Sequence, residues 1–194
     1  MLKPMKVNSY LAALLLAVAV FSCKENNTKK TEGTASSNNV ALAHLQALDD
    51  SCNKAWNMMM GSDDQKIKDI QRLLQEISYI PAHNVQKLER LSQRAKELST
   101  KRYTPETMTS SAIDTYDGTT DSLLKEVFDL KRTTKGVENY TLTEELEASI
   151  READGMVVNY RVLYDSWADK YNQSLDKLPA ADASGLKKKM KFAL

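Results

Sequence analysis

Cysteine, histidine, glycine and proline are all scarce in this chain: two, two, six and four among 194 residues. Each scarcity removes a class of protein. Two cysteines permit no cysteine cage for zinc and at most one disulfide. The two histidines, His44 and His83, are not helix-spaced, and no Cys/His cluster exists, so neither a two-histidine metal site nor a hydrolase triad can be assembled. With so little glycine there is no phosphate-cradling loop, dinucleotide fingerprint or nucleophile elbow. No stretch alternates cleanly between apolar and polar, which removes half-buried strands. Charge of one sign is missing too: the formal net charge of +1 offers no drive toward nucleic acid.

What is present begins at the N-terminus. Lys3 and Lys6 precede an unbroken apolar run, Leu11–Phe21, with no acidic residue before it. As a helix that run would rise about 16 Å, roughly half a bilayer core, which suits a signal-peptide core and not a membrane span. It ends at Val20-Phe21-Ser22-Cys23. This resembles the lipobox of bacterial lipoproteins, with an aliphatic residue three before the cysteine and a small one just before it. The resemblance implies removal of residues 1–22 and acylation of Cys23 with chains such as palmitate, enough to anchor stably. Loss of Lys3 and Lys6 with the leader takes the formal charge from +1 to −1. Cys52 would then be the one free thiol, either buried or reactive, with burial the expected state. Residues 23–39 contain no aliphatic or aromatic side chain larger than that of Ala35, and read as a lipidated cysteine and flexible tether. Lys24-Glu25 resembles the charged export tag of surface lipoproteins in the Bacteroidota.

Residues 40–194 read as one helical domain with a basic C-terminal tail. A first apolar stripe runs Ala41, Leu45, Leu48, Cys52, Ala55 or Trp56, and Met59; Gly61 is expected to interrupt it, with Ser62-Asp63-Asp64-Gln65 capping a new helix. A second stripe, Ile67, Ile70, Leu74, Ile77 and Ile80, is ended by Pro81 and resumes at Val85, Leu88, Leu91, Ala95 and Leu98. Thr104-Pro105-Glu106 is the expected start of the next helix, carrying Met108, Ile113, Tyr116, Leu123 or Leu124, Val127 and Leu130. Thr141-Leu142-Thr143-Glu144 has the form of a capping box opening the longest seam: Leu146, Ile150, Ala153, Val157, Tyr160, Tyr164, Trp167, Tyr171, Leu175 and Leu178. Amphipathic helices joined by short polar turns pack antiparallel, so the expected fold is all-α, an up-down bundle of about four long helices.

Several of these residues stand at spacings similar to those of the LemA family of bacterial envelope proteins. Ala55-Trp56, then His83, Leu88, Leu91 and Arg94-Ala95, then Tyr164-Asp165, Tyr171-Asn172 and Leu178-Pro179, and last Gly185-Leu186 and Phe192 carry the resemblance. Gln71-Arg72, Asn84 and Asp165 depart from the family's pattern. The resemblance implies a membrane anchor followed by an antiparallel helical bundle, with a lipobox here in place of the family's transmembrane helix.

Few groups could carry chemistry. Asp49-Asp50, Asp63-Asp64 and Glu144-Glu145 are adjacent on helices and diverge by about 100°, so solvated faces and caps explain them better than acid/base pairs. Met58-Met59-Met60 with Cys52 and His44 has the composition of a soft-metal site, but methionine filling the core is the favoured account. His83, just after Pro81, is expected to be structural. Tyr160, Tyr164, Trp167 and Tyr171 form an aromatic seam that reads as core, with a ligand groove or partner-helix groove as the alternative. Lys187 to Lys191 reads as a frayed terminus, with contact to phosphate headgroups as the alternative. No catalytic residue, cofactor or metal site is expected. The expected protein is a lipid-anchored component of the cell envelope, outer-membrane attached, acting on an envelope protein partner; a small-ligand or metal-binding lipoprotein is the alternative.

Overall fold

A computed structural model describes residues 29–192, with side chains from Asn38 onward. The leader, Cys23 and the start of the tether lie outside the described residues. Four helices account for most of what is described: α1 Lys29–Ser78, α2 Val85–Glu97, α3 Ser110–Thr133 and α4 Leu142–Leu175, with 3-10 turns at Leu98–Lys101 and Val137–Asn139 and, among the described residues, no strand. The fold is the expected all-α bundle.

Cross-helix pairs give the direction of each helix. Trp56 meets Tyr164, Lys66 meets Asp154 and Asp69 meets Ser149, so rising numbers on α1 match falling numbers on α4. Lys87–Asp129 and Arg94–Ser122 set α2 antiparallel to α3, and Asp117–Arg161 and Lys131–Glu147 set α3 antiparallel to α4. The core is the sum of the apolar stripes: Ile70, Leu73, Leu74, Ile77, Leu91, Leu98, Leu123, Val127, Leu130 and Ile150 are all fully buried. Val85 is an exception and lies exposed.

Length decides the rest. The 50 residues of α1 rise about 75 Å, whereas the 13 of α2 and 24 of α3 rise about 20 and 36 Å. The shorter pair therefore flanks only the C-terminal part of α1. Around Leu45, Leu48 and Cys52, α1 has the second half of α4 as its helical partner, with Leu178, Ala183 and Phe192 from the C-terminal segment packed against the same core.

Four expectations are corrected. α1 runs unbroken through Gly61, because its inward stripe continues on both sides against one partner, α4, and a helical glycine costs only about 1 kcal/mol relative to alanine. The segment expected to be a flexible tether is helical from Lys29, as a backward extension of the same helix. α3 starts at Ser110, not at Pro105: Thr109 is the N-cap, accepting from Ala112 N, while Thr104–Thr107 forms a turn closed by Thr104 Oγ1 and Glu106. The capping box at α4 is not made; Thr143 Oγ1 instead donates to the Tyr140 carbonyl, and Thr143 is buried.

An alanine Cβ at Gly61 would meet nothing within 4 Å. Gly61→Ala should therefore stabilise the bundle by about 1 kcal/mol, read as a raised urea midpoint at constant slope. A lowered midpoint would mean that α1 needs the glycine to bend there.

Candidate functional site

The inward stripe of α1, followed from Met59 in steps of four and three, arrives at Asp63 and Lys66. Both are almost fully buried, so charges occupy seam positions in the middle of the bundle. Arg102, just after the 3-10 turn that follows α2, reaches in from the other side. Its Nε lies 2.6 Å from Asp63 Oδ2, and its Nη1 lies 2.7 Å from Asp64 Oδ1. Tyr116 on α3 donates to the same Asp63 Oδ2 at 2.5 Å. Lys66 Nζ lies 3.3 Å from Asp63 Oδ1, an electrostatic contact without hydrogen-bond alignment, and 3.0 Å from Asp154 on α4.

A second knot adjoins the first, through Asp117, the residue after Tyr116 on α3. Arg161 of α4 makes a two-pronged pair with Asp117 of α3 at 2.7 and 2.6 Å and donates to the Tyr103 hydroxyl at 3.0 Å. These are the contacts that tie α3 to α4 at this level. Tyr103 also joins a ring cluster: its centroid lies 6.0 Å from those of Trp56, Tyr116 and Phe192. A cavity of about 180 Å³ opens between the knots, lined by Met59, Asp63, Lys66, Tyr116, Asp154 and Arg161 among others. It sits where the α4 seam is least complete, since Ala153, Val157 and Tyr160 are only half-buried.

The electrostatics hold protons in place. Burial, reinforced by the charge of Asp63, pushes the Tyr116 hydroxyl well above its ordinary value near 10. Burial opposes the charge on Arg102, but its bond to Tyr116 and the charge of Asp63 outweigh that and keep it protonated. Burial pushes Tyr103 and Tyr164 up as well. Near the other end of the bundle, burial works against the charges of Lys131 and Glu147, yet the bonds of Lys131 to Glu144 and Glu147 hold it up, and those of Glu147 to Lys131 and Arg151 hold it down. The arrangement makes an interior of paired charges and neutral tyrosines.

These shifts set a pH profile. The lowered Glu147 contributes stability above its ordinary value of 4.5, lost as pH falls through its folded value; the raised Lys131 and tyrosines contribute stability below about 10, lost as pH rises. The melting temperature should be flat from about pH 5 to 9 and fall on both sides. A main transition between about pH 6 and 8 would contradict this, because none of the shifted groups named here titrates there.

The residues singled out from sequence are placed as follows. Tyr164 and Tyr171 are buried, and Trp167 and Tyr160 are half-buried against the core. Tyr164 faces Trp56 and Phe192 at 5.6 and 5.7 Å, and Trp167 carries Lys170 over its ring. The four rings are therefore not gathered around an open groove, and the mid-bundle cavity does not include them. Cys52 is buried, and burial raises its thiol, so it stays protonated and unreactive. Met59 packs in the core while Met58 faces solvent; among the described residues no three His, Cys, Asp or Glu side chains gather as metal ligands. The His83 Nδ1 lies 2.6 Å from the Ile80 carbonyl, closing the turn around Pro81. The terminus expected to fray is docked: Lys188, Lys189 and Lys191 pair with Asp176, Asp49 and Asp169.

Sequence reasoning missed Asp63, Lys66, Arg102, Tyr103 and Arg161 as a cluster. The available signal was the stripe itself: continued across Gly61, it places Asp63 and Lys66 inward. Comparison with family models, curated proteins and solved structures returns no match.

Proposed function

We propose that this chain is a lipid-anchored, non-enzymatic helical bundle of the bacterial cell envelope, LemA-like, that works by docking another envelope protein. The observation that carries the docking is the outer face of α4. Met156, Val158, Val162 and Leu163 are exposed there, and from Gly155 to Tyr164 the single charged residue, Arg161, turns inward. A solvated helix face ordinarily carries charge, and an uncharged face with exposed apolar side chains on both sides of Gly155 and Asn159 marks a contact surface.

The anchor rests on Lys3, Lys6, the apolar run Leu11–Phe21 and Ser22-Cys23. No helix among the described residues is long and apolar enough to cross a membrane. The LemA likeness is supported by convergence: Trp56, Tyr164 and Phe192, far apart in sequence, touch one another, and Ala55, Leu91 and Ala95 are buried.

The test is photo-crosslinking in native membranes from a reactive residue at position 163, with and without Val158→Glu and Val162→Glu. Both substitutions face solvent and should leave the helical circular dichroism intact. A specific crosslinked protein should disappear with them; identical crosslinks would sink the docking surface. Mass spectrometry of the mature N-terminus tests the anchor, and an unmodified Cys23 would refute it.

A second reading, a small-ligand lipoprotein, is favoured by the mid-bundle cavity and not by the tyrosine seam. Its roughly 180 Å³ is comparable to a cavity that accepts benzene. Small polar compounds that raise the melting temperature of the wild type but not of Val157→Trp would support it.

A further inference from the structure

Residues 186–192 are bound as a peptide ligand is bound. From Leu186 to Phe192 it forms neither helix nor strand, and Gly185, with φ of +82°, turns it back along α1 and α4. Asn172 on α4 reads its backbone: the side-chain amide accepts from Lys189 N at 2.8 Å and donates to the Lys189 carbonyl at 2.9 Å. Asp165 Oδ1 accepts from Phe192 N at 2.8 Å. Side chains are read as well. Lys188 lies 2.9 Å from Asp176 and Lys191 lies 2.7 Å from Asp169; Lys189 pairs with Asp49 and sits 5.2 Å from the Tyr171 ring centre. Phe192 fills a socket of Trp56, Tyr103 and Tyr164, with the Arg161 guanidinium 5.1 Å from its ring centre.

These elements divide into two jobs. The Phe192 socket holds the segment down. The three lysine–aspartate pairs lie at or near the surface, where ion pairs add little stability but discriminate strongly between partners. The paired amide bonds from Asn172 recognise any extended backbone, and the aspartates and ring socket then select lysine and an aromatic at fixed spacing. A segment that only needed to cover the core would require the socket alone.

We propose that the groove between α1 and α4 is a docking site for an extended, lysine-rich protein segment anchored by one aromatic residue, which residues 187–192 fill in cis until such a partner displaces them. This goes beyond the outer face of α4 and uses other residues, so either can fail alone. The tethered segment competes at an effective concentration in the millimolar range, so a partner segment needs further contacts of its own or a second point of attachment.

The probe is a synthetic peptide of residues 187–194 with 4-nitrophenylalanine at the Phe192 position, titrated into the purified full chain carrying Trp167→Phe. The chain has two tryptophans, so Trp56 alone then reports quenching. With Phe192→Ala in the chain, quenching should saturate at a peptide concentration at least about ten-fold lower than with the intact tail, as expected when a cis competitor is weakened. Asn172→Ala in the same background should raise the concentration needed by about ten-fold, and a peptide with glutamate for each lysine should not quench. No saturable quenching in a folded Phe192→Ala chain, or equal quenching by the charge-reversed peptide, overturns the proposal. Should Phe192→Ala lose its helical circular dichroism, the intact chain decides. Quenching at about millimolar peptide, reversed by unlabelled peptide, supports the site, and its absence overturns it.

Discussion

Asp63→Ala is expected to destabilise the bundle by about 3–5 kcal/mol, the range for removing one partner from a buried ion cluster. The cost is not the lost attraction alone. Asp63 accepts from Tyr116, holds Arg102 Nε and lies beside Lys66, whose side chain is nearly all buried. Alanine leaves Lys66 with only the half-exposed Asp154 and Arg102 with only the exposed Asp64, while the Tyr116 hydroxyl keeps a 3.4 Å contact with Arg102 and loses its acceptor. Replacing the cluster together, with Asp63→Leu, Lys66→Met and Arg102→Leu, should cost far less than the single change and can come out near neutral, because apolar packing avoids the desolvation of three charges. Urea denaturation of the single and triple variants measures both. A loss below about 1 kcal/mol for Asp63→Ala would mean that water reaches the cluster and screens it.

Phe192→Ala is expected to cost about 3 kcal/mol, at the low end for a buried phenylalanine because the site lies near the surface. In a chain of this size that lowers the melting temperature by roughly 6–12 °C. The ring touches Trp56, Tyr103 and Tyr164 at once, and α2 and α3 do not extend far enough to close that end of the core. Lys188→Ala, which removes a pair exposed on both sides, should cost less than about 0.5 kcal/mol. Equal losses for the two would show that charge and not ring packing holds the segment. A null result for both would show that it is not docked in solution.

The bundle was legible in the sequence because helical periodicity survives whatever partner the helix finds. Ile67, Ile70, Leu74 and Ile77 fall on one face by arithmetic alone, and all four are buried. Pro81 ends its helix for a local reason, the geometry of the proline ring, and the structure ends α1 at Ser78. The interior polar centre was not legible in the same way. An aspartate two residues after a glycine has the same local signature whether it caps a helix or fills a seam, and local pattern alone puts Asp63 in the cap. Tyr164 and Tyr171 were legible as apolar seam residues, but periodicity does not say whether a seam closes on a partner or leaves a groove.

What the sequence by itself determined about this chain is its helical class, its near-neutral charge and the pattern around Cys23. Those follow from residue types and spacings, which act over a few ångströms along the chain. Only the tertiary structure decided that α1 is continuous through Gly61, that Asp63, Lys66 and Arg102 meet inside the bundle, and that the basic segment Lys187–Lys191 is a bound strap and not a frayed end. Each of those is a near-tie in local free energy: about 1 kcal/mol for a helical glycine, and less for a surface ion pair. Such ties are broken by contacts between residues far apart in sequence, here by the full length of α4 lying against α1 and by a gap at one end of the core that Phe192 fills.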